Sequence, residues 1–118
     1  MQWKSCSKTL MILAALLALA AYGAAATVTV LYSFKDRTDG YSPAGVIMVD
    51  GKLYGTTASG GTYDNGTVFE LVHTSSGWVK IALHEFTGGS GGSNPTPGLV
   101  ADKAGRIYGA AGRSSKAA

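Results

Sequence analysis

GVIMVDGKLYGTT, residues 45–57, is an apolar run from Val46 to Val49, stopped by Asp50-Gly51 and resumed from Lys52. Asp-Gly between two such runs is a strong two-residue β-hairpin signal, because a type I′ turn needs positive φ at both central positions. Outward from this hairpin the chain divides into four expected strands, at 45–49, 52–57, 67–72 and 78–86. A Gly/Ser/Thr loop ending in Asp64-Asn65-Gly66 separates the second from the third, and Ser75-Ser76-Gly77 separates the third from the fourth. Along the fourth, Val79, Ile81 and Leu83 alternate with Lys80, Ala82, His84 and Phe86, which is the period of a strand. No segment after residue 26 has a helical period. The expected core is Val46, Ile47, Leu53, Tyr54, Val68, Phe69, Leu71, Val79, Ile81 and Leu83.

The same pattern returns further on. Leu31-Tyr32-Ser33-Phe34 matches Leu83-His84-Glu85-Phe86, and the stretch ending at Pro43 matches the one ending at Pro95, both at an offset of 52. After single-residue insertions, Gly45-Val46-Ile47 matches Gly98-Leu99-Val100, and Gly51-Lys52-Leu53-Tyr54-Gly55 matches Gly105-Arg106-Ile107-Tyr108-Gly109. Internal repetition of this kind, with four antiparallel strands per period, is the pattern of a β-propeller blade; a sandwich or meander of duplicated hairpins is the alternative. Residues 27–34 correspond to a fourth strand, the place from which a closed ring starts when its N-terminus completes the last blade. The chain holds about one and a half repeats, whereas propellers need about four to eight blades. It is therefore expected to be a fragment of a longer architecture and unable to close alone.

Residues 1–26 have a different character. Lys4 and Lys8 precede the apolar run LMILAALLALAA (residues 10–21), and small residues follow up to Ala26. This is the form of a secretory signal peptide, with cleavage expected after Ala26, or failing that after Ala25. The uncharged run from Thr9 to Ala26 is 18 residues long and ends in small residues, short of a comfortable membrane span of about 20. A lipoprotein signal is not expected, because Cys6 precedes the apolar run instead of following it. Lys4 and Lys8 leave with the leader, so the chain's net charge of +3 falls to +1 for the exported part. That near-neutral charge gives no electrostatic basis for binding nucleic acid. Cys6 is the single cysteine, so no internal disulfide forms. The domain plan is thus a signal peptide at 1–26, a repeat region at 27–112 (repeat one about 31–82, partial repeat two about 83–112) and a disordered tail at 113–118.

The string LYSFKDRTDGYSPAGVIMVDGKLYGTTASGGTYDNGTVFELV, residues 31–72, closely resembles the GloVer (Gloeobacter/Verrucomicrobia) tandem repeat of exported bacterial choice-of-anchor proteins. The motifs that carry the resemblance are Leu31-Tyr32-Ser33-Phe34, Asp39-Gly40, Pro43-Ala44-Gly45, Leu53-Tyr54-Gly55-Thr56-Thr57, Gly60-Gly61 and Gly66-Thr67-Val68-Phe69-Glu70-Leu71. Phe86-Thr87-Gly88-Gly89, Asn94-Pro95, Gly98-Leu99-Val100 and Ile107-Tyr108-Gly109 continue it in the second copy. The resemblance implies a secreted or surface-displayed protein, and no biochemical activity comes with it. Family members usually hold many copies and a C-terminal sorting signal, a second reason to expect a fragment here.

No catalytic set emerges from the sequence. Gly88-Gly89-Ser90-Gly91-Gly92 fits G-x-S-x-G, but a nucleophile elbow needs a strand, a sharp turn and a helix, and another strand is expected here. Asp36, Asp39 and Gly40 resemble the start of a calcium loop without its remaining ligands, so no metal is assigned. His73 and His84 have no positioned nucleophile or carboxylate, and His84 is replaced by Tyr32 in the other copy. Asn65-Gly66-Thr67 is a glycosylation sequon better explained as a turn, and Asn94-Pro95-Thr96 is blocked by its proline. Tyr32, Tyr41, Tyr54, Tyr63, Tyr108 and Trp78 are expected mainly to pack between blades, with Tyr41 and Tyr63 the ligand-facing loop aromatics.

The expected function is that of an exported, non-enzymatic repeat protein used for surface display or interaction. It needs no cofactor, meets a membrane only through the signal segment, and associates with itself through open sheet edges or with cell-surface glycans or proteins. The alternatives are a carbohydrate-binding module, with loops 36–43 and 58–65 presenting the aromatics, and a fragment of a propeller enzyme.

Overall fold

The computed structural model describes residues 26–113. The expected signal peptide (1–26), but for Ala26, and the expected tail from residue 114 lie outside the described residues. What is described is antiparallel β-structure. β1 (Tyr41–Val49), β2 (Lys52–Ser59), β3 (Thr67–Thr74) and β4 (Gly77–Glu85) form one meander sheet in the order β1-β2-β3-β4. β5 (Ser93–Pro95) pairs with β8 (Ala111–Gly112), and β6 (Val100–Ala101) with β7 (Ile107–Tyr108). The described residues form no closed barrel and no propeller ring.

Local chemistry accounts for the turns. Asp50 and Gly51 have φ of 49° and 77°, the doubly positive turn expected of Asp-Gly, and Val49 faces Lys52 directly across it. In the longer loop between β2 and β3, a Cβ on Gly60 would lie 2.4 Å from the Arg37 carbonyl oxygen and 2.7 Å from the Tyr41 nitrogen. Only a residue without a side chain lets residues 37–41 approach that loop so closely. Thr57 and Thr67 close the far end of the β2–β3 pair. Their hydroxyls are 2.9 Å apart, and the Thr67 N–H donates to the Thr57 hydroxyl at 3.1 Å.

The core lies on one face of the sheet. Leu53, Phe69 and Leu71 are buried there, with Tyr32, Phe34 and Trp78 packed against them. Phe69 reaches across β2 to Gly55, where a Cβ would meet its ring at 2.7 Å and the Val46 side chain at 2.9 Å. The Phe34 ring stands edge-on to Phe69 with centroids 5.3 Å apart, and Tyr32 stands edge-on to Phe34 at the same separation. Residues 31–40 are thus the lid of this core.

Several expectations need correction. Residues 27–34 form no strand: among the described residues no sheet edge pairs with them, and they contribute side chains to the lid instead. β1 begins at Tyr41, four residues before the expected start at 45, because a register irregularity between Pro43 and Val46 lets the ladder continue past the proline. Finally, Val79, Ile81 and Leu83 are 44–50% exposed instead of buried, because the lid covers the opposite face. Val46, on edge strand β1, is 46% exposed for lack of an outer neighbour. A second irregularity sets Leu83 and His84 against Val68, so His84 leaves the side shared by Lys80 and Ala82.

Phe69→Ala should test the core directly. Phe69 is 2% exposed, and its loss should cost about 3–5 kcal/mol by chemical denaturation, against well under 1 kcal/mol for Tyr63→Ala at an exposed loop position.

Candidate functional site

Residues 36–43 and 58–65, expected as loops, meet at one end of the sheet, but Tyr41 opens β1 and Ala58 and Ser59 end β2, so only Tyr63 of the two tyrosines lies in a loop. The Arg37 carbonyl accepts N–H bonds from Gly40 at 3.3 Å and Gly61 at 2.9 Å. The Arg37 guanidinium pairs with Asp64 at 2.8 Å, and the Gly60 N–H donates to the same carboxylate oxygen at 3.0 Å. Tyr41 is 60% and Tyr63 55% exposed. Beside Tyr41 an open cleft of about 540 Å³ runs between Phe34, Asp36, Arg37, Gly40 and Pro43. The Arg37 guanidinium lies 5.9 Å from the Tyr41 ring centroid, so one side of the ring is already shared with a cation.

An ion pair anchors the cleft's inner wall to the sheet. Lys80 Nζ lies 2.7 Å from the Asp39 carboxylate, with only 7% and 18% of the two side chains exposed. It also donates to the Asp39 carbonyl and lies 5.2 Å from the Phe34 ring centroid. The other Asp39 oxygen accepts from the Tyr32 hydroxyl at 2.7 Å and the Lys35 N–H at 3.0 Å. Burial alone would raise the Asp39 pKa, but the bonds from Lys80, the Lys35 N–H and Tyr32 outweigh it and hold the carboxyl below its ordinary range. Burial, with the bond to Asp39 second, pushes the Tyr32 phenol up to about 12. Forty-one residues separate Asp39 from Lys80, and no motif in the sequence marks the pair.

The remaining candidates are dispersed. Asp36 spends one oxygen on the Thr38 hydroxyl and the N–H groups of Thr38 and Asp39, bonds that lower its pKa. Among the described residues no three His, Cys, Asp or Glu side chains cluster as metal ligands. Ser90 sits in a single 3-10 turn, Gly89–Gly91, that leads into β5. His73 packs beside Trp78 at 5.1 Å and His84 edge-on to Phe86 at 4.7 Å, on different parts of the sheet. Asn65 donates from its side chain to the Tyr63 carbonyl at 2.7 Å, and its own carbonyl accepts the Asn94 N–H at 2.7 Å.

A second concavity was not foreseen from the sequence. It is an apolar groove of about 300 Å³ between the uncovered face of the main sheet and the β5–β8 region. Tyr54, Thr56, Val68 and Leu83 form one wall, and Phe86, Leu99 and Ile107 contribute to the other. Thr56 is 2% exposed, and its hydroxyl has no hydrogen-bond partner among the described residues.

The Tyr32–Asp39–Lys80 cluster makes stability depend on pH at both ends. Tyr32 holds its proton more tightly folded than unfolded, so its contribution is full below pH 10 and lost as pH rises towards 12. Asp39 has a lowered folded pKa, so its contribution is present above the ordinary value of 3.8 and lost as pH falls through the folded value. Melting temperature measured against pH should fall at both extremes, and Tyr32→Phe should flatten the alkaline fall while keeping the acid one. Compared with family models, with curated proteins and with solved structures, the chain matches none.

Proposed function

We propose that this is an exported, non-enzymatic repeat protein for surface display or interaction, built from propeller-like blades of the GloVer type. The observation that carries this is the pairing register of two hairpins. Pro43 faces Thr57, Ile47 faces Tyr54 and Met48 faces Leu53; Pro95 faces Ala111, Val100 faces Tyr108 and Ala101 faces Ile107. Each pair in the second set is the repeat counterpart of one in the first. Other local features agree. Ser42 and Asn94, each preceding a proline, both have positive φ, at 53° and 46°. Tyr32 meets Phe34, and His84 meets Phe86, in the same edge-on geometry. A repeating unit whose outer strands β1 and β4 have one neighbour each suits assembly into longer arrays and self-association through those edges.

Expression with the leader in a bacterial host tests export. Recovery of a product beginning at Thr27 outside the cytoplasm is expected, and retention of the uncleaved chain in the cytoplasm would overturn it. Light scattering on that product should give an apparent mass above one chain.

The open cleft and the exposed Tyr41 and Tyr63 favour a second reading, a carbohydrate-binding module, since exposed aromatic faces stack on sugar rings. On a glycan array, this reading requires binding that Tyr41→Ala and Tyr63→Ala each weaken about tenfold, roughly 1.4 kcal/mol. Cell-surface proteins remain the partners under the first reading if the array is blank.

A further inference from the structure

We infer that the apolar groove between the main sheet and the second hairpin is an acceptor site for an extended peptide strand, and that it seats a phenylalanine opposite Gly109. This rests on the repeat reading proposed above and names a partner for it. In the first hairpin, Phe69 is held by Phe34, Leu53 and Gly55, with Val46 beside it at Gly55. The repeat counterparts of these four are Phe86, Ile107, Gly109 and Leu99, and all four line the groove. The contact at the glycine recurs too: a Cβ on Gly109 would meet Leu99 at 2.6 Å, as one on Gly55 would meet Val46 at 2.9 Å. The groove is therefore the Phe69 seat of the second copy, with no described residue of this chain filling it.

The edge beside the seat is open as well. β2 pairs with β1 on one side and with β3 on the other, with Gly55 facing Phe69, Thr56 facing Val68 and Thr57 facing Thr67. Among the described residues its counterparts β7 and β8 pair on one side only, with β6 and β5. A strand added antiparallel along them in the register of β3 sets its phenylalanine opposite Gly109, its valine opposite Ala110 and its threonine opposite Ala111. Main-chain hydrogen bonds supply affinity, and the side-chain seat supplies specificity. The buried Thr56 hydroxyl, unpartnered in a wall that is otherwise mostly apolar, is a separate sign that this surface is completed from outside. The occupant is an extended strand with the Thr-Val-Phe-Glu-Leu pattern of β3, supplied by a repeat of this type whose third strand is not already paired with its own second.

The probe is a fluorescein-labelled peptide, GTVFELVHT, with the sequence of residues 66–74, titrated with the full chain and followed by anisotropy. Saturable binding is expected. Replacing the peptide's phenylalanine by alanine should weaken it about a hundredfold, and methylating the peptide's backbone nitrogens should abolish it. Gly109→Val, which fills the seat, should weaken binding. Thr67→Val lies away from the groove and checks that a stability change alone does not produce that loss. Equal binding of the phenylalanine and alanine peptides would overturn the proposal. So would the absence of binding, including the case of a chain that dimerises through β7 and β8 and cannot be dissociated by the peptide. Export and cleavage are read separately, so failed export with intact peptide binding discards the display reading and leaves the acceptor site standing.

Discussion

A phenylalanine ring lying over a glycine organises the described part of this chain. Phe69 needs the space above Gly55, and the Phe34 ring then closes it from above. A ring pair in that geometry adds about 0.5–1.5 kcal/mol beyond burial, a modest sum that also fixes orientation. The lid holding Phe34 is in turn tied down by Lys80 and Asp39, a pair almost removed from water. Such a pair contributes little net stability against an apolar replacement, yet leaving either member alone is expensive. Its effect is to dictate which face of the sheet residues 31–40 cover, and so to leave the other face for something else.

That division explains what was legible in the sequence. Turn chemistry is local, so Asp50-Gly51 announced its hairpin and the four strands of the main sheet fell close to where they were expected. Leu53, Phe69 and Leu71 were recognisable as core because apolar residues recur at every second position. Alternation does not say which face is covered, and the same rule that found Phe69 also put Val79, Ile81 and Leu83 inside. Residues 27–34 have strand composition, but pairing requires an adjacent edge, which composition does not supply. Tyr63 is an exposed loop aromatic within its Gly/Thr/Asp/Asn-rich stretch, whereas Tyr41, similarly exposed, opens β1 because the ladder runs on past Pro43. The Asp39–Lys80 pair arises from a contact between distant segments that no spacing in the chain encodes. The groove's Phe86, Leu99, Ile107 and Gly109 stand at the repeat offsets, but its other wall is the back of the main sheet, which those offsets do not place there.

The two concavities differ in kind. The cleft beside Tyr41 is wide, polar at its rim and bordered by charged groups that already have partners, such as Arg37 with Asp64. The groove beside Gly109 is smaller, apolar and shaped by side chains whose counterparts enclose a ring elsewhere in the same chain. The first suits a hydrated ligand held by stacking, and the second suits a hydrophobic side chain presented on a backbone that can pair.

The second hairpin is held by two-residue ladders, whereas its counterpart in the main sheet runs eight and nine residues per strand. Its turn is secured chiefly by Asp102, which accepts from the Ala104 and Arg106 N–H groups, the Arg106 side chain and the Tyr108 hydroxyl. Backbone pairing is therefore sparser in the second hairpin, which has no third strand beside it among the described residues. In the array proposed above, a last unit without a following strand would be the softest. Growth by one unit hardens the previous end and creates a new soft one, so a protease working from that end would measure how far assembly had gone.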